Sequence, residues 1–139
     1  MGVVSFSNHT YGAPGLPNAI VLDTLIQLAG IKKRELPPSE ILLRRKEEIL
    51  ALIPEWKDAE SKNLFAENFW LDEDLAHRKK STQEVFAEAG KMVRVSNIKA
   101  ENQLRGSFLM ECEKRNVYVF FTLTPESTAL IQQLDIVLQ

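Results

Sequence analysis

Up to Gly90 the apolar residues of this chain recur at helical spacing, and beyond it they alternate. Residues 3–7 are a short apolar, β-prone run, and the Gly- and Pro-containing stretch to Gly15 reads as a loop. Pro17 suits a first helical position, and Ile20, Val21, Leu22, Leu25, Ile26 and Leu28 then give a helix over 17–29 with Gly30 as its stop. Residues 31–38 carry a basic cluster and two prolines, and read as a linker. Ser39 caps a second helix that Pro54 ends. Ile41, Leu42, Ile49, Leu50, Leu52 and Ile53 form its core stripe, and Arg44, Arg45, Lys46, Glu47 and Glu48 are mostly its wet side. A further helix is expected over about 59–68, and another from Asp72 or Asp74 to Ala89, stopped by Gly90.

Period-two alternation predicts strands over 91–99, 104–113, 117–123 and 130–138. In the second, Leu104, Gly106, Phe108, Met110 and Cys112 share one face. The third is apolar on both faces, as a central strand would be, and in the last Leu134, Ile136 and Leu138 point inward. Lys114-Arg115-Asn116 is a tight turn, and Asn102 fits another. The expected fold is α+β: helices first, then a three- or four-stranded antiparallel meander that they cover.

Composition narrows the function. With 17 basic and 19 acidic residues, net charge −2, the chain has no electrostatic bias toward nucleic acid or an anionic membrane. The single cysteine, Cys112, rules out an intramolecular disulfide and a thiolate metal cluster. No apolar run approaches the ~20 residues of a membrane span, and the start lacks a basic, then apolar, signal region. The expectation is a soluble, cytoplasmic chain without metal or cofactor.

Candidate chemistry is sparse. A Ser-x-x-Lys string at Ser96 to Lys99 falls in an expected strand, where residues three apart face opposite ways, so it reads as chance. His9 lies in a loop. His77 sits on a polar helix face and reads as solvated. The acidic run Asp72-Glu73-Asp74 reads as a helix N-terminus or a wet face. Arg105, in an otherwise apolar strand, invites Glu111, Glu113 or Asp135 as partner, with anion binding as the alternative. The many aromatics read as core first and as a pocket lining second.

Two stretches resemble a known family. Residues 3–30, from Val-Val-Ser-Phe-Ser-Asn-His-Thr-Tyr-Gly through the helix to Gly30, look like the closing strand and helix of a β-lactamase-related, penicillin-binding-protein-like serine hydrolase. Residues 61–138 are similar to a domain accompanying such hydrolases, on Asn102-Gln103-Leu104-Arg105-Gly106 and Phe121-Thr122-Leu123-Thr124-Pro125-Glu126 followed by Ile131-Gln132. The resemblance implies a division into 1–33 and 34–139, and a cystatin-like or nuclear-transport-factor-like fold for the second part. The family's catalytic Ser-x-x-Lys helix and Tyr precede the closing strand, so no catalytic residue carries over. The leading expectation is therefore a non-catalytic accessory or oligomerisation module, able to form a homodimer through 1–33. The alternative is a small-ligand domain with Tyr118 and Asp135 at the bottom of a cone, joined by Arg105. A third reading is a dimer built on the face of Tyr118 and Phe120.

Overall fold

The computed structural model describes residues 3–4, 15–30 and 36–139. Residues 5–7 of the strand expected at 3–7, the loop after it with His9, and most of the linker lie outside the described residues. The chain divides into two compact units, Met1–Arg34 and Glu35–Gln139. The first contains helix α1, Gly15–Leu28. Gly30 follows at φ +61° and donates its amide to Gln27 O, a left-handed ending that suits glycine. Within this unit Leu16, Ile20, Val21, Leu25 and Leu28 are exposed.

The second unit is α+β. Helices α2 (Glu40–Leu52), α3 (Glu67–Asp72) and α4 (Leu75–Ala89) cover one face of an antiparallel sheet. Its strands are β1 (Met92–Val95), β2 (Lys99–Asn102), β3 (Arg105–Cys112), β4 (Val117–Leu123) and β5 (Ile131–Leu138). The order is β1-β3-β4-β5, with β2 also paired to β3. One strand was expected over 91–99; instead β1 and β2 lie in succession along β3. The break is held by Ser96, whose Oγ accepts from Leu109 N at 2.8 Å and donates to Asn97 O at 3.0 Å.

Local chemistry sets the helix ends. Ser39 Oγ accepts from Leu42 N and donates to Gln103 O at 2.6 Å, so one hydroxyl caps α2 and ties it to the β2–β3 turn. Asp74 Oδ1 accepts from His77 N at 2.8 Å and caps α4. Asn102 Oδ1 accepts from Leu104 N, forming the turn expected there.

The helix expected over about 59–68 is absent. Residues 53–63 form successive turns, and α3 begins only at Glu67. Trp56, Asp58 and Asn63 have φ of +54°, +57° and +51°, which no continuous right-handed helix allows. Tertiary contacts override local propensity here: Ile131 N donates to Leu64 O and Ala66 N to Ile131 O, drawing residues 64–66 alongside β5.

The core lies between α2–α4 and the sheet. Phe69, Leu42, Ile49, Val117, Val119, Phe121 and Ile131 are fully buried within it. At Gly106, an added Cβ would meet Ile98 Cγ2 at 3.0 Å and Lys99 O at 3.3 Å, so glycine lets β2 approach β3 closely. No described helix is long and apolar enough to cross a membrane.

Candidate functional site

The residues singled out from the sequence are spread over the sheet face turned away from the helices. Alternation puts Val117, Val119 and Phe121 inward, and Tyr118 and Phe120 outward. Register places Tyr118 between Leu109 and Val137, Phe120 between Ser107 and Asp135, and Thr122 between Arg105 and Gln133. Tyr118, Asp135 and Arg105 therefore share one face, on three different strands. Leu109, Tyr118 and Phe120 are half-buried there, and Val137 is exposed, forming an apolar band that residues 36–139 leave uncovered.

Arg105 does not pair with Glu111, Glu113 or Asp135. Its Nη1 lies 3.9 Å from Glu101, and its guanidinium sits 5.8 Å from the Phe120 ring centre. The register explains this. Arg94 lies opposite Glu111 and takes it with two hydrogen bonds, 2.6 and 3.2 Å, while Asp135 is engaged by the Gln133 amide at 2.8 Å. Those bonds hold the Arg94 guanidinium above its ordinary pKa and the Glu111 carboxyl below its own.

A cavity of about 780 Å³ lies at the α3–α4 junction beside β5. Four carboxylates line it, Asp72, Glu73, Asp74 and Asp135, and three of them are engaged, Asp135 by the Gln133 amide. Asp74 caps α4, and the Glu73 carboxylate pairs with the Arg78 guanidinium at 3.2 Å and lies 3.4 Å from His77 Nε2. Arg78 donates to Phe69 O at 2.8 Å and to Glu73 O at 3.0 Å, with its guanidinium 3.7 Å from the Phe69 ring centre. Burial lowers its pKa, against the raising influence of Glu73, Asp72 and Asp135. His77 is 70% exposed, the solvated histidine that its context indicated.

A second cavity, of about 500 Å³, opens where the end of α2 meets the α4–β1 and β3–β4 turns. Its wall is apolar: Leu50, Ile53, Pro54, Phe86, Met92 and Met110. The sequence pattern places Leu50 and Ile53 in the core stripe of α2, Pro54 at its end and Met110 on one face of β3, and singles out no pocket among them. The signal for the cavity is three-dimensional, because it joins the ends of four elements.

Among the described residues, no group of three or more His, Cys, Asp or Glu could hold a metal ion. Cys112 is half-buried. Burial raises its thiol pKa, and the nearby Glu113 carboxylate raises it further. A raised pKa leaves less thiolate at neutral pH, so Ellman's reagent at pH 7 is expected to modify Cys112 more slowly than free cysteine. The gap should close in denaturant, and equal rates in the folded protein would contradict the assignment.

No protein-family model, curated protein or solved structure matches the chain.

Proposed function

We propose that this chain is a non-catalytic accessory module that works by association, in the manner of the cystatin-like or nuclear-transport-factor-like domains appended to β-lactamase-related serine hydrolases. The observation that carries the reading concerns Ser96. The serine of the Ser-x-x-Lys string spends its hydroxyl on Leu109 N and Asn97 O, stapling the break between β1 and β2 to β3. It serves the fold, and Lys99 faces Ser107 across the next strand pair. A nucleophilic serine needs a base within hydrogen-bond reach and a free trajectory to substrate; this hydroxyl is already committed on both sides.

Association has two candidate surfaces. In the first unit, the exposed Leu16, Ile20, Val21, Leu25 and Leu28 support a homodimer through residues 1–33. In the second, the band of Leu109, Tyr118, Phe120 and Val137 supports contact with a partner sheet or domain. The test joins a fluorophosphonate probe for activated serines with solution mass from light scattering. The expected results are no labelling above that of heat-unfolded chain, and a full-length dimer that becomes monomeric when residues 1–33 are removed. Stoichiometric labelling of a serine in the folded chain would overturn the non-catalytic reading. A full-length monomer would remove the 1–33 interface and leave the sheet face.

A further inference from the structure

We propose that the cavity at the end of α2 binds a small amphipathic anion: a molecule with an apolar body and one carboxylate head. This inference stands apart from the accessory-module reading. It rests on how wall and rim differ in chemistry.

The wall offers carbon and thioether sulfur. Met110 and Ile53 form its deeper part, at 3% and 8% exposed, and Leu50 and Phe86 are half-buried beside them. Met92 is 51% exposed at the mouth. A volume of about 500 Å³ is within the range of small-molecule sites. Two methionines suit an apolar body of variable shape, because the thioether side chain repacks at little cost. Water in such a groove finds few partners on the wall, so an apolar group that displaces it gains free energy.

The rim is charged, and its sign favours an anion. Lys91 and Lys114 both line the cavity, and neither makes a salt bridge among the described residues. The one carboxylate in the lining, Glu113, accepts a hydrogen bond from Lys91 N at 3.3 Å. Two ammonium groups against one carboxylate leave the mouth net positive. The backbone there is anchored: Lys114 N donates to Ala89 O at 2.9 Å, Glu113 N to Lys91 O at 3.0 Å, and Gly90 N to Phe86 O at 3.0 Å. Gly90, at φ +81°, has Glu113 Cβ 3.3 Å from where its own Cβ would stand, so the two turns are packed together. Both lysines thus rise from anchored backbone beside the apolar wall. A carboxylate between them, with its hydrocarbon against Phe86, Met92 and Met110, satisfies both halves of the site.

The chain contains three methionines, and two of them, Met92 and Met110, line this cavity. Protein labelled with ¹³C at the methionine methyls therefore reports on the site directly. Full-length chain is titrated with octanoate, octan-1-ol and octylamine, with Met92→Leu to assign the peaks. Octanoate is expected to shift the Met92 and Met110 methyls saturably, and to bind more tightly than octylamine. The double variant Lys91→Ala/Lys114→Ala, changed only at exposed side chains, is expected to weaken octanoate about five-fold or more and leave octan-1-ol unchanged. Unmoved methyls at millimolar octanoate would overturn the proposal. So would octylamine binding as tightly as octanoate, or full octanoate affinity in the double variant.

Discussion

Replacing Trp56 with alanine is expected to lower the free energy of unfolding by about 3–5 kcal/mol, a large share of what a domain of this size holds. Trp56 is 3% exposed and sits where the turns of residues 53–63 meet α3 and α4. Its indole stacks against Phe65 and Phe69, with ring centres at 5.7 and 6.3 Å, and meets Trp70 edge-on at 6.4 Å. Its Nε1 donates to the buried Thr82 hydroxyl at 3.1 Å, joining the turn segment to α4. Alanine would open a cavity at the centre of this cluster and leave Thr82 without its donor. Trp56→Phe keeps one six-membered ring but loses the donor and the rest of the indole, so it should cost less than alanine, about 1–3 kcal/mol. Trp70, the other of the two tryptophans, remains as the fluorescent reporter for urea unfolding. Equal midpoints for wild type and Trp56→Ala would mean that the cluster contributes far less than its burial indicates.

That segment also marks where reading the sequence runs out. Helices α2 and α4 were legible because each carries its own punctuation: Ser39 and Asp74 as caps, and Gly90 as a stop. Strands β3, β4 and β5 were legible because alternation sorts Phe108, Val119, Phe121 and Leu134 to one face over several residues. Residues 59–63, Ala-Glu-Ser-Lys-Asn, have helical composition, yet Leu64 and Phe65 are claimed by Ile131 more than sixty residues away. A local pattern holds no record of that pairing. The same limit applies to the β1–β2 break, which depends on a hydroxyl of Ser96 meeting the Leu109 amide.

Among the candidate site residues, the register of β3, β4 and β5 brings Tyr118, Asp135 and Arg105 to one face as alternation requires. The partner of Arg105 was not legible. Arg105 and Glu111 stand six residues apart on β3, too far along one strand to pair, and the bulge between Met92 and Arg94 sets Arg94 opposite Glu111. The apolar cavity was invisible for another reason. Leu50, Phe86, Met92 and Met110 come from four elements, and only their packing shows that they leave a gap.

Arg45 was read as part of the wet side of α2, and the correction yields the other large prediction. Its side chain is buried, at 5% exposed, under the β4–β5 connection. Nε donates to Ala129 O at 3.0 Å, Nη2 to Thr128 O at 3.1 Å and to Ala129 O at 2.9 Å, and Nη1 to Glu48 at 2.6 Å. One planar fork thus satisfies two carbonyls of a connection whose other bonds are few: Thr124 N to Leu130 O, Leu130 N to the Thr124 hydroxyl, and Ala129 N to Glu126 O. Arg45→Met keeps the apolar stem and leaves both carbonyls unpaired, which is expected to cost about 2–4 kcal/mol. Arg45→Lys should recover only part of this, because a single ammonium cannot reproduce the fork. Glu48→Gln should cost under about 1 kcal/mol, since Glu48 is 39% exposed and its partner keeps its carbonyl contacts. Urea midpoints for the three variants, with amide exchange at Leu130 and Ile131, distinguish the roles. If Glu48→Gln matched Arg45→Met, the ion pair would be the stabilising element; if Arg45→Met alone were large and exchange quickened at Leu130, the guanidinium's hold on the 124–130 connection is what keeps β5 seated against β4.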